Sequence, residues 1–330
     1  MSEQAGIGRN LSMELARVTE AAALMAGRWM GRGMKEASDQ AAVDAMRAVL
    51  NTIEMEGVVV IGEGEKDKAP MLYDGETVGR AEFPKVDIAV DPIDGTRLLA
   101  EGMPNSVCVL AIAERGTMYQ WQHIAYMEKI AVGPDAAGAI DLDATVAENL
   151  NNVARKKGVD TDSLTVVILD RPRHKQLIQE VRDAGARIKL IADGDVAGAL
   201  MAAMSGTGID VLMGIGGAPE AVIAACALKC TGGDMRCRLW ARNDEEREIA
   251  AANNIDLGKI FSLNDLVGGN DVFFAATGIT DGELLDGVKY LPDGARTHSL
   301  VMREVSGTVR EIRSTHQLSK LKLLEHMPFD

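Results

Sequence analysis

The sequence lacks most of what metal-thiolate, redox and nucleic-acid chemistry would need. Its four cysteines stand at 108, 226, 230 and 237 and form no C-x-x-C pair. They read as reduced core thiols, not zinc ligands or disulfide partners, with Cys226 and Cys230 on one helical face. The five histidines show no ligand spacing. No apolar stretch reaches about 18 residues, so a membrane-spanning helix is not expected. The opening MSEQAGIGRNLSMELARV has no basic segment followed by an apolar one, and the expected compartment is the cytoplasm. Positive charge is scarce: 35 Lys and Arg face 49 Asp and Glu, a formal net charge of -14. With no basic face to offset it, a nucleic-acid or anionic-membrane surface is excluded. A small anionic substrate is still allowed if metals or a few arginines supply positive charge locally. Nucleotide loops are missing too. There is no G-x-x-x-x-G-K-[ST], and GIGGAPE has Gly214 and Gly216 but Pro219 where the dinucleotide fingerprint needs its third glycine. No repeat, low-complexity segment or long linker occurs.

What remains is a 330-residue chain, 47% hydrophobic and 25% charged, with mean hydropathy near zero. That describes a globular protein of one or two domains. Residues 11–31 carry Leu15, Val18, Ala22, Met25 and Trp29 at helix spacing, and 39–54 repeat the pattern with Ser38 or Asp39 as N-cap. Strands are expected at GVVVI (57–61), VDIAV (86–90) and VCVLAIA (107–113), with KDKAP in a loop after the first. From about residue 160 the rhythm becomes LTVVILD, a helix, RIKLIA, a helix, IDVLMG and a helix, the alternation of a parallel sheet with crossover helices. DVFFAATG (271–278) is expected in that same layer, and THSLVMR and TVREIRSTH as two final strands. The expected architecture is a layered α+β and α/β fold in two parts. Residues 1–160 form N-terminal helices on a mixed sheet that binds metal. Residues 161–330 form a C-terminal parallel-sheet part that binds substrate, with a soft boundary because the last strands can return to either part.

Ligands of open α/β sheets sit outside the carboxyl ends of strands. There the second part places Arg171, Pro172 and Arg173, then Asp193, Gly194 and Asp195, then GIGGAPE with Pro219 at a first helical position and Glu220 beside it. Singly each has a bland explanation as a cap, a turn or a solvated side chain; together they outline a pocket. The first part places Asp39 at a helix start, Glu63 between two glycines after one strand, and Asp91 and Asp94 after the next, followed by Thr96. Caps and turns account for Asp39 and Asp94. They account poorly for Glu63 and Asp91, because unpaired charge at a buried strand end is costly. Oxygen-only donors suit magnesium or manganese better than zinc.

DPIDGT (91–96), with the upstream G-E-G and an acid near residue 40, resembles the lithium-sensitive phosphatase superfamily. The longer strings MGRGMKEASDQAAVDAMR (30–47), VVIGEGEKDKAPMLYDGE (59–76), YMEKIAVGP (126–134), RPRH (171–174), DGDVA (193–197), GIGGAPE and FFAATGIT (273–280) resemble class II fructose-1,6-bisphosphatases, in order from about residue 11 to 316. The resemblance implies hydrolysis of the 1-phosphate of fructose 1,6-bisphosphate with Mn²⁺ or Mg²⁺. Metal ligands would be Asp39, Glu63, Asp91, Asp94 and Glu220, and Thr96 the hydroxyl that positions the attacking water. The sugar-bisphosphate pocket would comprise Asp94, Gly95, Thr96, Tyr126, Arg171, Pro172, Arg173, Asp193, Gly194, Asp195 and Gly217. By the same analogy the chain is a homo-oligomer, dimer or tetramer. Asp94 stands where many members have glutamate and Arg171 where many have lysine, variants that also occur in relatives similar to dual fructose/sedoheptulose bisphosphatases.

The residues agree with that chemistry. Phosphomonoester hydrolysis needs a stronger nucleophile than water and a stabilised leaving oxygen, and divalent ions supply both. Thr96 can relay a water proton to Asp39 or Asp91, while Arg171 and Arg173 hold the uncleaved phosphate and Asp193 and Asp195 the sugar hydroxyls. The rivals are another phosphatase of the superfamily, disfavoured by RPRH and GIGGAPE, and a non-catalytic metal- or nucleotide-binding regulator, disfavoured by the intact ligand set and Thr96.

Overall fold

A computed structural model describes residues 7–8, 10–64 and 72–321; the expected KDKAP loop lies outside them. The chain begins with α1 (Leu11–Ala26) and α2 (Lys35–Leu50), continues through β1 (Glu56–Ile61), β2 (Thr77–Val78) and β3 (Lys85–Asp94), and reaches β4 (Val107–Glu114) by way of α3 (Thr96–Glu101). It then builds β5 (Tyr126–Val132), α4 (Val146–Lys157), β6 (Thr165–Leu169), α5 (Lys175–Asp183), β7 (Arg187–Ile191), α6 (Asp195–Ala203), β8 (Val211–Gly217), α7 (Ala218–Thr231), β9 (Asp234–Leu239), α8 (Asp244–Ala252), β10 (Ile260–Ser262) and α9 (Leu263–Leu266). It closes with β11 (Phe273–Gly278), β12 (Lys289–Leu291), β13 (Gly294–Arg303), β14 (Thr308–His316) and α10 (Leu318–Leu321). The architecture is the expected layering of helices on sheets in two parts, and the second sheet, expected to be parallel, is mixed.

Two compact units result: Met1–Met118 with Gly269–Asp330, and Tyr119–Gly268. The division differs from the expected 160 boundary. Residues 119–160 supply β5 and α4 to the second unit, and the chain past 268 returns to the first. Strand 271–278, expected in the later sheet, is instead β11, antiparallel to β4 and to β13. A strand buried on both faces reads as a continuous apolar run whichever sheet it joins, so periodicity alone cannot assign it.

The first unit is an eight-stranded sheet in the order β12-β13-β11-β4-β3-β1-β2, with β14 on β13. Only β1 and β3 run parallel. α1 and α2 cover one face and bury Leu15, Val18, Leu24, Met46 and Leu50 against Ile88, Leu110, Phe273 and Val301. The second unit has the order β10-β9-β5-β8-β6-β7. The expected parallel register holds for β7-β6-β8, but β5 lies antiparallel between β8 and β9. α4 and α5 bury Leu150, Val153 and Val181 on one face with Ile130, Ile168 and Met213. The alanine-rich α6 and α7 pack on the other face and are apolar on nearly every side.

A carboxylate turn in one unit and an arginine-lysine cluster in the other

In the first unit, DPIDGT is a bulge with a helix start attached. β3 does not end at Val90, as its pattern suggested, but runs to Asp94: Asp91 pairs with Val109 and Asp94 with Val107, so three steps on one strand oppose two on the other. Asp91 Oδ1 accepts the Ile93 N–H at 3.0 Å, and Gly95, at φ 89°, turns the chain into α3. Asp94 is buried, 4% exposed. Thr96 Oγ1 donates to Ile93 O at 3.2 Å, and its hydroxyl is near enough to the Asp39 carboxylate to lower that group's pKa.

Asp39 corrects the sequence reading. α2 begins at Lys35, and Ser38 donates to Lys35 O at 2.7 Å inside the helix, so neither Ser38 nor Asp39 is the cap. One turn in, the Asp39 carboxylate carries no capping duty. Burial pushes its pKa above the carboxylate value, the Thr96 hydrogen bond pulls it back, and Glu36 pushes it up again. Glu63 follows β1, exposed, with its N–H bonded to Leu72 O at 2.9 Å. Its neighbour must be glycine, because a Cβ on Gly62 would stand 1.9 Å from Leu72 O. The charges of Asp91 and Glu63 both act on Cys108, whose thiol is raised first by burial and then by them. Cys108 is therefore an inert core thiol against the acidic turn.

In the second unit the organising residue is one the sequence reading passed over. Lys129 points from β5 into the α6/α7 face, 3% exposed, and donates to Asp195 Oδ2 at 2.6 Å and Gly217 O at 3.0 Å. Burial opposes its charge, but Asp195 and Glu220 outweigh that and leave it above the ordinary ammonium value. The available signal was the alternation in β5: Met127, Lys129 and Ala131 share a face, and a lysine between apolar neighbours demands a buried partner. The GIGG turn wraps this cluster. A Cβ on Gly216 would lie 1.8 Å from Asp195 Oδ2, and one on Gly217 would lie 1.8 Å from Glu220 Oε2. α7 starts at Ala218, so Pro219 is its second residue and Glu220 its third.

Glu220 Oε2 is buried with no hydrogen-bond partner. Burial and the charge of Asp195 raise its pKa, Lys129 lowers it, and Asp193 raises it further. A buried carboxylate oxygen left unsatisfied among other carboxylates calls for a cation, and an all-oxygen donor set fits a hard divalent ion. Among the described residues, no three Asp, Glu, His or Cys side chains converge closely enough to hold a metal ion as they stand.

RPRH forms the turn after β6. Arg171 donates to Ala192 O and, at 3.1 Å, to Asp193 Oδ1; Pro172 opens the turn. Arg173 donates through Nε and Nη2 to Ile215 O at 3.1 and 2.7 Å, and its guanidinium lies 5.3 Å from the centre of the Tyr126 ring. His174, another residue the sequence reading did not single out, pairs Nδ1 with Leu169 O at 2.7 Å and accepts the Ile215 N–H on Nε2 at 2.8 Å. The two bonds fix the neutral Nδ1–H tautomer. Gly194, at φ 81°, caps α6, of which Asp195 is the first residue.

Helices layered on two mixed sheets are the arrangement of a layered α/β phosphatase fold. Residues 9–316 match the family described as bacterial fructose-1,6-bisphosphatase, glpX-encoded, and the chain belongs to that family. It is 46% identical over 325 residues to "Fructose-1,6-bisphosphatase 1 class 2" of Escherichia coli K12, covering 94% of this chain and 96% of that one. The same identity and coverage hold for "Fructose-1,6-bisphosphatase class 2" of Escherichia coli O6:H1 and of Shigella flexneri. Among the described residues no helix is long and apolar enough to cross a membrane.

Proposed function

We infer that the chain hydrolyses fructose 1,6-bisphosphate to fructose 6-phosphate and phosphate, within gluconeogenesis and carbohydrate metabolism. The observation that carries the chemistry is the Thr96 hydroxyl set against the Asp39 carboxylate, beside the Asp91–Asp94 turn. A hydroxyl has one hydrogen and two lone pairs. Turned from Ile93 O to Asp39, that hydrogen leaves Thr96 Oγ1 able to accept a hydrogen from the attacking water. The water is thereby oriented, and its proton passes through Thr96 to Asp39. Burial raises the Asp39 pKa above the ordinary carboxylate value.

Divalent metal, Mn²⁺ or Mg²⁺, would be held by Asp39, Glu63, Asp91 and Asp94, with Glu220 the ligand that the family resemblance adds. When bound it supplies an activated water, charge on the phosphoryl oxygens and a stabilised leaving oxygen. Arg171 and Arg173 grip the phosphate that stays, Tyr126 flanks it, and Asp193 and Asp195 accept hydrogen bonds from sugar hydroxyls. Gly95, Pro172, Gly194 and Gly217 shape the backbone that borders the sugar. By family analogy the protein works in the cytoplasm as a homo-oligomer, dimer or tetramer.

Phosphate release with Mn²⁺ or Mg²⁺, with and without chelator, tests the reading on fructose 1,6-bisphosphate, sedoheptulose 1,7-bisphosphate and an inositol phosphate. Metal-dependent turnover of the first is expected. Turnover of the second at a comparable rate would make the enzyme dual, and exclusive turnover of the inositol phosphate would overturn the assignment.

A further inference from the structure

We propose that Asp74 is a positioning residue for the metal site: its carboxylate holds the backbone on which Glu63 stands, and affinity for a divalent ion depends on that hold. This rests on the assignment of Glu63 as a metal ligand. Glu63 follows β1 between Gly62 and Gly64, the latter at φ 114°. Glycines let the chain turn sharply and let other backbone approach, but they leave the peptide units on both sides of Glu63 unusually free to rotate. A metal ligand needs the opposite. Its oxygen must sit within about 0.2 Å of the coordination distance, and a carboxylate on a loose loop has to be ordered each time the ion binds.

The stretch that returns beside this loop supplies the order. The Gly62 N–H donates to Asp74 Oδ1 at 2.9 Å. The Glu63 N–H donates to Leu72 O at 2.9 Å, and the Asp74 N–H to Gly64 O at 3.0 Å. Gly62, Glu63 and Gly64 are thus clamped one after another, with the ligand in the middle. The returning stretch is itself anchored. Leu72 is wholly buried in the core of the first unit with its backbone at φ 52°, a conformation a leucine keeps only where its surroundings hold it. The Gly75 N–H donates to Val59 O at 2.7 Å and the Val59 N–H to Glu76 O at 2.9 Å, which ties the stretch to β1. The clamps on Glu63 and Gly64 run from backbone to backbone, and any residue other than proline supplies them. The clamp on Gly62 depends on a side chain, and that side chain is Asp74. Asp74 is exposed, so truncating it removes a hydrogen-bond acceptor and opens no cavity in the core. Groups that orient metal ligands are commonly worth about 10- to 100-fold in metal affinity.

The test uses the full chain. Mn²⁺ binding to the metal-free protein is measured by titration calorimetry, without substrate, for wild type, Asp74→Ala, Asp74→Asn and Glu63→Gln. Turnover of fructose 1,6-bisphosphate is followed across a Mn²⁺ series, and melting temperatures are taken in chelator. Asp74→Ala is expected to weaken Mn²⁺ binding about tenfold and to raise the Mn²⁺ needed for half-maximal rate by about as much. Its kcat at saturating Mn²⁺ should stay within about threefold of wild type, and its metal-free melting temperature within about 3 °C. Asp74→Asn keeps an Oδ1 acceptor for the Gly62 N–H and should bind Mn²⁺ within about threefold of wild type. If Asp74→Asn loses as much as Asp74→Ala, negative charge near the ion is what counts, and the clamp is wrong. If Asp74→Ala binds Mn²⁺ as wild type does while Glu63→Gln loses binding, Glu63 needs no clamp and the proposal falls alone. If Glu63→Gln also keeps wild-type binding, Glu63 is not a ligand, and the reading of the metal site falls and takes Asp74 with it. A fall of about 10 °C or more in the metal-free melting temperature of Asp74→Ala would mark Asp74 as a residue of the fold and overturn the proposal.

Discussion

At the scale of single residues, the proposed chemistry depends on a few side chains. Thr96→Ala removes the proposed relay between water and Asp39 without touching the arginines. It should lower kcat by about 10²- to 10³-fold while KM stays within about threefold, as steady-state kinetics will show. Lys129→Met removes the cation bonded to Asp195 and leaves two carboxylates buried together. A loss of about 3 kcal/mol or more in denaturant unfolding is expected, and adding Asp195→Asn should restore part of it. A second variant with unchanged stability would show the pair to be incidental. Part of this scale was marked out in advance: Glu63 and Asp91 stood out as carboxylates that caps and turns explain poorly, whereas Asp39 and Asp94 could be read as a cap and a turn. Lys129 was not seen, because a lone lysine in an apolar stretch becomes conspicuous only once the stretch is recognised as a strand. The depth of Asp39 within α2 was also missed. KEAS is as good a helical first turn as a capped start at Ser38, and backbone context decided between them.

At the scale of elements, helices and parallel strands were readable from period and punctuation, while antiparallel insertions were not. The βαβ rhythm after residue 160 located β6, α5, β7, α6, β8 and α7 to within a few residues. β5, with Glu128 and Lys129 in its centre, breaks the apolar run that marks a buried strand, and β11 gives no hint of its neighbours. The elements are joined by small polar clasps, of which His174 is the clearest. It ties the turn after β6 to β8 through Leu169 O and the Ile215 N–H. Burial, and to a lesser extent the neighbouring arginines, hold its pKa below 6.5, although the Leu169 bond works the other way. A depressed histidine pKa means that the unfolded chain binds the proton first. Stability from this group is complete above about pH 6.5 and is lost as pH falls toward the lower folded value, where a second ring proton would face the Ile215 N–H. Urea midpoints should therefore drop between pH 7.5 and 5.5 more steeply in wild type than in His174→Gln. Equal slopes would deny the clasp its role.

At the scale of the whole molecule, one unit is an insertion in the other. The chain leaves the first unit after Met118 and returns at Gly269, and a Cβ on Gly269 would stand 3.4 Å from Thr117. Within the second unit, the Tyr119 N–H meets Leu266 O at 2.8 Å. Exit and entry are thus paired on both sides, an arrangement that inserted domains tolerate well. Replacing residues 119–268 with a short glycine linker should leave a first unit that melts cooperatively by circular dichroism; a broad, non-cooperative transition would contradict this. Because the proposed ligands are oxygens from separate segments, chelation of the intact enzyme should abolish phosphate release and lower its melting temperature, and either Mn²⁺ or Mg²⁺ should restore both. The same nesting has a consequence for biosynthesis. The inserted unit is continuous in sequence and is complete when residue 268 has left the ribosome, whereas β4 must wait for β11, some 160 residues downstream. Until then β4 presents the open edge of an almost wholly apolar strand, VCVLAIAE, to the crowded space around the nascent chain. The half of the protein that begins first finishes last, and its unpaired edge is where a holding chaperone would be needed.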